Sequence, residues 1–297
     1  MGGAQDQPWT VRRLLEAGAA YLSRHGIDAR EARTLAEILV SEALGLRGGP
    51  GLALRAEAVP EEAARAWLRM AFRRVAGGEP AQYVLGRWPF HAIELKTDSR
   101  ALIPRPETEE LVERVLRHPV WASARHVADV GTGTGAIVLA LAEAARRRGG
   151  TMPRFTAIDR SPEALALARE NAEALGLAKA VRFVEGDACA PLETRSADVI
   201  VSNPPYIASE EVDGLPRHIL GHEPRLALDG GPDGLDVVRR IVAGATQVLR
   251  PGGRLFLEIG DEQGLSLKRL LERAGYGEVI VAKDFAGHDR YAEGSLL

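Results

Sequence analysis

The chain reads Val127-Ala128-Asp129-Val130-Gly131-Thr132-Gly133-Thr134-Gly135-Ala136. A short β-prone run ends at three alternating glycines, and a helical pattern follows. Glycine permits the positive φ of a tight turn and lets a ligand approach the backbone closely. From about residue 126 onward, strand and helix patterns alternate. Strands are expected at 126–130, 154–158, 181–184, 198–202, 254–259 and 278–282, and helices at about 135–148, 162–175, 235–249 and 263–274. Alternation of this kind builds a parallel α/β sheet with helices on both faces. Its ligands sit beyond the carboxyl ends of the strands. Residues 207–234 interrupt the rhythm with a loop rich in Gly and Pro. A loop of that length inside a compact domain is usually functional.

The next strand ends at Asp159, and Ser161-Pro162 starts the helix behind it. A carboxylate at that strand end can accept both hydroxyls of a ribose. The third strand leads into Gly186-Asp187-Ala188, where a carboxylate can take an adenine amino group. Three successive strand ends would therefore line one crevice shaped for an adenosyl ligand. The glycine loop also satisfies the dinucleotide form Gly-x-Gly-x-x-Ala. These features alone leave NAD and S-adenosylmethionine both open.

The fourth strand, Asp198-Val199-Ile200-Val201-Ser202, ends in Asn203-Pro204-Pro205-Tyr206. Asn-Pro suits a turn, but a turn needs neither the second proline nor the aromatic ring. A planar amino group conjugated to a carbonyl or ring is a poor nucleophile. Acceptors fixed on both of its N–H bonds help it. Asn203 offers a side-chain oxygen and Pro204 a backbone carbonyl, and the prolines preorganise both. Tyr206 offers a face for the flat group. A nitrogen held this way can be aligned with an electrophilic methyl carbon. No general base is apparent, so the proton is expected to leave to water.

Upstream, residues 1–78 read as helices. Val11, Leu14, Leu15, Gly18 and Leu22 share one face, and Asp28 with Glu31 forms a capping-box-like start. Pro60 is expected in the first turn of a third helix. In residues 81–103 the period shifts, and Tyr83, Leu85, Trp88, Phe90, Ile93 and Leu95 suggest short strands. Then Ile103-Pro104-Arg105-Pro106-Glu107-Thr108-Glu109 gives a stiff loop, with Glu107 or Thr108 starting the next helix.

The chain has 297 residues, 45% of them hydrophobic, which excludes wholesale disorder and suits about two domains. No apolar run is long enough to span a membrane, and the first residues lack a secretory h-region. One cysteine, Cys189, fits a reducing compartment. The formal net charge is -3. Residues 1–80 carry +1 and the rest -4, so neither part is the basic body of a strong nucleic-acid binder. His218, His222 and Glu223 do not form a metal signature. Arg146-Arg147-Arg148 suits a helix C-terminus. Trp67 and Trp121 suit packing.

Asn203-Pro204-Pro205-Tyr206 behind this glycine loop resembles amino-group methyltransferases that use S-adenosylmethionine. Gly78-Glu79-Pro80, Tyr83, Gly86, Phe90 and Ile103 to Glu109 narrow the resemblance to the HemK/PrmC family. Glu223-Pro224, Asp233-Gly234-Leu235, Pro251-Gly252-Gly253 and Asp289-Arg290 extend it to the C-terminus. The resemblance implies a class I methyltransferase with a Rossmann-like, seven-stranded, mostly parallel sheet, its final strand near Arg290 antiparallel. It implies a helical domain at 1–78 that docks a release factor, a β-hairpin linker at 79–105 and a catalytic domain at 106–297. The implied reaction methylates the N5 amide of the glutamine in the Gly-Gly-Gln motif of peptide chain release factors, in the cytoplasm. It consumes S-adenosylmethionine, yields S-adenosylhomocysteine and uses no metal, with no direct nucleic-acid or membrane partner.

Carried over residue by residue, Asn203, Pro204, Pro205 and Tyr206 hold the glutamine amide and Phe90 flanks it. Gly131, Thr132, Gly133, Thr134, Gly135, Asp159, Asp187, Ala188 and Asn203 meet the cofactor. Relatives often carry a larger side chain at Ala188. Arg105 fits a cofactor contact, a partner contact or a loop support equally. The alternatives are a ribosomal-protein glutamine methyltransferase, a nucleic-acid adenine or guanine amino methyltransferase, a NAD-dependent oxidoreductase, and a binding module without turnover. The sister family that acts on a ribosomal protein reads Pro-Arg-Ser-Pro where this chain reads Pro-Arg-Pro-Glu, which favours the release-factor branch.

Overall fold

The computed structural model describes residues 8–46 and 49–297. They fall into two compact units. One holds the helices up to Gly86 together with Arg217–His222, and the other comprises Arg87–Pro216 and Glu223–Leu297.

The first unit contains α1 (Val11–Arg24), α2 (Ala29–Ala43), α3 (Gly49–Leu54), α4 (Glu62–Ala76) and α5 (Ala81–Leu85). Thr10 caps α1 by accepting from the Arg13 N–H, and Asp28 caps α2 by accepting from Arg30 and Glu31. These caps satisfy amide groups that a helix start leaves unpaired. Val11, Leu15 and Leu22 of α1 share one core with Leu39 of α2 and Leu68 and Phe72 of α4. At Gly18 a Cβ would lie 2.2 Å from Phe72 Cζ, so glycine admits the ring against α1. Three details differ from the sequence expectation. Glu61, not Pro60, precedes α4. The short α3 was not foreseen. Tyr83 and Leu85 lie in helix α5, which ends at Gly86 with φ 71°. A five-residue segment with Tyr83 and Leu85 two apart fits either period, and the left-handed glycine decides it as a helix end.

The second unit opens with the antiparallel hairpin β1 (Arg87–Phe90) and β2 (Ile93–Lys96). Then come α6 (Pro106–Arg117), α7 (Pro119–Ser123), β3 (His126–Val130), α8 (Ala136–Arg148), β4 (Arg154–Asp159), α9 (Pro162–Ala174), β5 (Val181–Glu185) and β6 (Ala197–Ser202). The short α10 (Ser209–Val212) follows, while α11 (Arg217–Leu220) belongs to the first unit. The chain finishes with α12 (Asp236–Val248), β7 (Leu249–Glu258), α13 (Gly264–Arg273), β8 (Tyr276–Lys283) and β9 (Asp289–Leu296). Pro106 takes the first helical position of α6, one or two residues before the expected start.

The seven strands lie in the order β5-β4-β3-β6-β7-β9-β8. β3 pairs in parallel with both β4 and β6, and β9 is antiparallel to β7 and β8. The expected antiparallel strand at Arg290 is thus β9. One face of the sheet buries Leu139 of α8 with Leu111 and Val115 of α6, and Phe90, Ile93 and Leu95 of the hairpin join them. The other face buries Val238, Ile241 and Val242 of α12 with Leu267 and Leu271 of α13. Each such side chain contributes about 1.5–3 kcal/mol relative to exposure.

Candidate active site

After β3 the chain builds toward β5 on one side, and from β6 it builds the other way. Such a reversal opens a crevice at the carboxyl ends of the strands. A cavity of about 350 Å³ lies there. Its walls are the loop after β3, Asp159 after β4, Asp187 and Ala188 after β5, and Asn203 to Pro205 after β6.

Gly131, Gly133 and Gly135 have φ values of 72°, 54° and 83°. The Gly131 and Thr132 N–H groups both donate to the Ile158 carbonyl, at 2.8 and 2.9 Å, which ties the loop to β4. A Cβ at Gly131 would meet only the Asn203 carbonyl at 4.0 Å, and one at Gly133 only Ala101 at 3.8 Å. The space above these two glycines is therefore open to a ligand. Asp129 braces the loop from beneath. Its Oδ2 accepts from the Thr132 hydroxyl at 2.7 Å and from the Val138 N–H at 3.2 Å.

Burial pushes the Asp129 carboxyl up to about 7, against those two hydrogen bonds. Its Oδ1 has no hydrogen-bond partner, so the retained proton belongs there. The native chain then holds a proton that the unfolded chain releases near pH 4. Between about pH 4 and 7 the native state binds more protons, so stability falls as pH rises. Denaturant melts are expected to show a loss of roughly 3 kcal/mol between pH 5 and 8 from this group. Asp129→Asn is expected to remove its share of that slope.

Asp159 receives the Gly133 N–H on Oδ2 at 2.8 Å and the Ser161 N–H on Oδ1 at 2.9 Å. Burial raises its pKa, and backbone hydrogen bonds from Ser161, Gly133 and Arg160 oppose the rise. A carboxylate has about four acceptor positions, so room remains toward the cavity. Ser161 caps α9 by accepting from Ala164, with Pro162 in the first turn, as the sequence predicts. Asp187 faces Arg160 and Arg240 at 3.8 and 3.5 Å, while its Oδ1 is buried without a hydrogen bond. Ala188 holds φ at 49°, an uncommon value for a residue with a Cβ.

Asn203 follows β6, whose last residue Ser202 ties its hydroxyl to the Val130 carbonyl at 2.6 Å. The Asn203 Nδ2 donates to Thr108 Oγ1 at 3.0 Å, and that hydroxyl donates to Glu258 Oε2 at 2.7 Å. Among the described residues no hydrogen bond claims the Asn203 amide oxygen, and Asn203 lines the cavity. Tyr206 presents its carbonyl to Gln263 Nε2 at 2.9 Å. Its phenol is pushed up to about 12, by burial first and by Glu258 second. It is therefore no base near neutral pH. The Ile207 N–H bonds the Leu228 carbonyl, and the Gly230 N–H bonds the Ile207 carbonyl. The long 207–234 loop thus returns to clamp the tetrapeptide from behind.

Phe90 is not brought to the cavity. It is 1% exposed and lies in the core beside Leu111 and Val112. Strand alternation placed it on an inward face, but what fills that face is apolar core. Arg105 pairs with buried Glu223 at 2.5 Å, and Glu223 also accepts the Ile103 N–H at 3.1 Å. This supports the loop reading of Arg105. Cys189 is buried and its thiol is pushed up to about 12 by desolvation, as suits an inert side chain. Among the described residues no group of three His, Cys, Asp or Glu side chains is placed to hold a metal. No helix of the described residues is long and apolar enough to cross a membrane. Sequence reading passed over the roles of Thr108, Glu258, Glu223 and Gln263. The available signal was a lone carboxylate closing the run Leu255-Phe256-Leu257-Glu258, on the strand that pairs with β6 just before Asn203.

Open space over Gly131 and Gly133, the capacity left on Asp159 and the orphaned Asp187 oxygen fit an adenosyl group with a charged tail. Fold and site together define a class I S-adenosylmethionine-dependent methyltransferase. A methyltransferase domain is matched over residues 122–278 and a PrmC N-terminal domain over 13–86. The release factor glutamine methyltransferase of Moorella thermoacetica is 43% identical over 283 residues, covering 95% of this chain and 96% of its own. That of Geobacter sulfurreducens is 38% identical over 97% of each chain. The chain belongs to the release factor glutamine methyltransferase family. Among solved structures, the hMettl16 catalytic domain shares the fold with a TM-score of 0.53 at 16% identity, over 80% of this chain and 83% of that one.

Proposed function

We propose that this protein transfers a methyl group from S-adenosylmethionine to the N5 amide nitrogen of the glutamine in the Gly-Gly-Gln loop of peptide chain release factors. The observation that carries the reading is the unclaimed Asn203 oxygen, held outward because its Nδ2 is bound to Thr108. With the Pro204 carbonyl it offers two acceptors to one NH2 group. Such a pair orients the amide nitrogen and stabilises the positive charge that develops on it. Pro205 and Tyr206 border the flat group. Bound S-adenosylmethionine supplies an electrophilic sulfonium methyl and leaves as S-adenosylhomocysteine. The amide nitrogen exchanges one hydrogen for the methyl, and the proton departs to water. No metal enters this scheme.

Gly131 to Gly135 would lie under the cofactor's tail, Asp159 would take the ribose hydroxyls, and Asp187 with Ala188 would border the adenine. Asp159→Asn is expected to weaken S-adenosylmethionine binding by about 10- to 100-fold, because a charge-assisted acceptor becomes a neutral one. Calorimetry checks this, and unchanged affinity would remove Asp159 from the site. The helices of residues 1–78 would dock the release factor, with residues 79–105 joining them to the catalytic part. The near-balance of 38 basic and 41 acidic residues favours a protein over a polyphosphate substrate. A substrate that is a translation factor places the enzyme in the cytoplasm.

The test is transfer from labelled S-adenosylmethionine to a release factor, mapped by mass spectrometry. A ribosomal-protein glutamine, DNA and RNA serve as parallel acceptors. No methyl on the Gly-Gly-Gln peptide would sink the substrate assignment.

A further inference from the structure

Glu258 ends β7, beside the strand that delivers Asn203. It is 1% exposed, behind fully buried Leu255, Phe256 and Leu257. A carboxyl so placed needs hydrogen-bond partners. Thr108 from α6 donates to it directly, and Asn203 reaches it through Thr108. The buried Tyr206 phenol feels its charge. One buried carboxyl thus holds the Asn203 end of the tetrapeptide through Thr108 and lies within electrostatic reach of Tyr206 at its other end.

We propose that Glu258 and Thr108 are positioning residues that set the polarity of the Asn203 amide, so that an acceptor and not a donor meets the substrate nitrogen. The inference rests on the reading of Asn203 as the glutamine clamp. A threonine hydroxyl carries one proton. Ionised Glu258 accepts it, and the Thr108 oxygen can then only accept from Asn203. That pins Nδ2 inward and Oδ1 outward. The flipped amide would set two oxygens face to face with no proton between them. A neutral Glu258 removes the constraint. Its proton would go to Thr108, whose own proton would satisfy a flipped Asn203. An NH2 group would then confront the substrate NH2.

The charge on Glu258 is therefore the switch for the clamp. Burial pushes this carboxyl up to about 7, opposed by Thr108, Arg290 and Tyr206 and reinforced by Glu107. Those groups face it from α6, β9 and the tetrapeptide, and the phenol of Tyr291 on β9 also feels its charge. The competent form gains population as pH rises through neutrality, so kcat is expected to climb across that range.

The experiment compares the full chain with Thr108→Val, Thr108→Ser and Glu258→Gln. Two readouts are taken: transfer to release factor, and the pH titration of the Asn203 side-chain amide signal in NMR, assigned by its absence from Asn203→Ala. Thr108→Val keeps the shape without the hydroxyl. Its kcat is expected to fall by about 10- to 100-fold with KM for release factor near wild type, while the unpaired Glu258 and Asn203 groups lower the melting temperature without unfolding the chain. Thr108→Ser is expected to recover to within about threefold of wild type, since the hydroxyl is what matters. The amide signal is expected to titrate near neutrality in the wild type and to stay flat in Glu258→Gln. Wild-type kcat in Thr108→Val, or equal losses in the valine and serine variants, would overturn the relay. An amide signal that ignores pH in the wild type would overturn it without any turnover. Absence of transfer by the wild type, with the titration intact, would instead count against the release-factor substrate alone.

Discussion

Asn203→Ala is expected to lower kcat by about 10³-fold, with S-adenosylmethionine affinity within about threefold of wild type. The side chain contributes in two ways. Its oxygen is one of two acceptors on the reacting NH2 group. Its position also fixes where the nitrogen sits, and misplacement by an ångström costs about 100-fold. Cofactor affinity should survive because the glycine loop and Asp159 are held by β3 and β4 through their own hydrogen bonds. The fold should survive because Asn203 is half-buried and its side-chain partner Thr108 keeps its bond to Glu258. Asn203→Asp refines the test. It retains an oxygen toward the substrate but places a second oxygen against Thr108, whose proton is already committed. It also puts a new carboxyl two hydrogen bonds away from Glu258. Intermediate activity, better at lower pH where the new carboxyl is neutral, is the expected result. Single-turnover transfer and calorimetry on the same preparations give both quantities. Activity within about tenfold of wild type in Asn203→Ala would show that the acceptor pair is not what orients the amide.

The parts of this site that the sequence made legible are those in which chemistry and spacing coincide on one short segment. Gly131 to Gly135 require a turn, Asp159 and Ser161-Pro162 mark a strand end and a helix start, and Asn203 to Tyr206 join an amide acceptor, two stiffening prolines and an aromatic ring in four residues. Strand-helix alternation then places all three at the same edge of a parallel sheet. The antiparallel β9 came from resemblance, since its pattern alone does not say where a late strand inserts. Illegible were the contacts that only folding brings together. Thr108 and Glu258 lie 150 positions apart, and Arg105 and Glu223 lie 118 apart. The substrate contact of Phe90 came from the resemblance, and the side chain lies in the core, because strand periodicity reports which face a residue takes but not what lies opposite. The short helices α3 and α5 escaped because a run of five or six residues has too few turns to establish a period.

Gly234→Ala is expected to cost about 100-fold in kcat and about 2–4 kcal/mol in stability. Gly234 sits 28 positions beyond Tyr206 in the chain but against it in space. Its φ is 72°, and a Cβ there would lie 2.3 Å from the Tyr206 carbonyl oxygen, 2.8 Å from Gln263 Nε2 and 3.1 Å from the Tyr206 carbonyl carbon. The first and last of these are backbone atoms and cannot rotate aside. The carbonyl is held by Gln263, and the next residue, Ile207, is held by Leu228 and Gly230. The tetrapeptide must therefore shift as a unit, which moves Asn203 and Pro204 relative to the cofactor. Left-handed strain alone would supply about 1–2 kcal/mol of the stability loss. Gly252→Ala separates the two effects. That glycine has φ 78° but nothing within 4 Å of its would-be Cβ. It should show the strain and keep wild-type kcat. Since both variants carry the same kind of backbone cost, any activity lost only in Gly234→Ala measures how closely the returning loop braces the amide clamp. Equal activity in the two would mean that the clamp is held from the strand side alone.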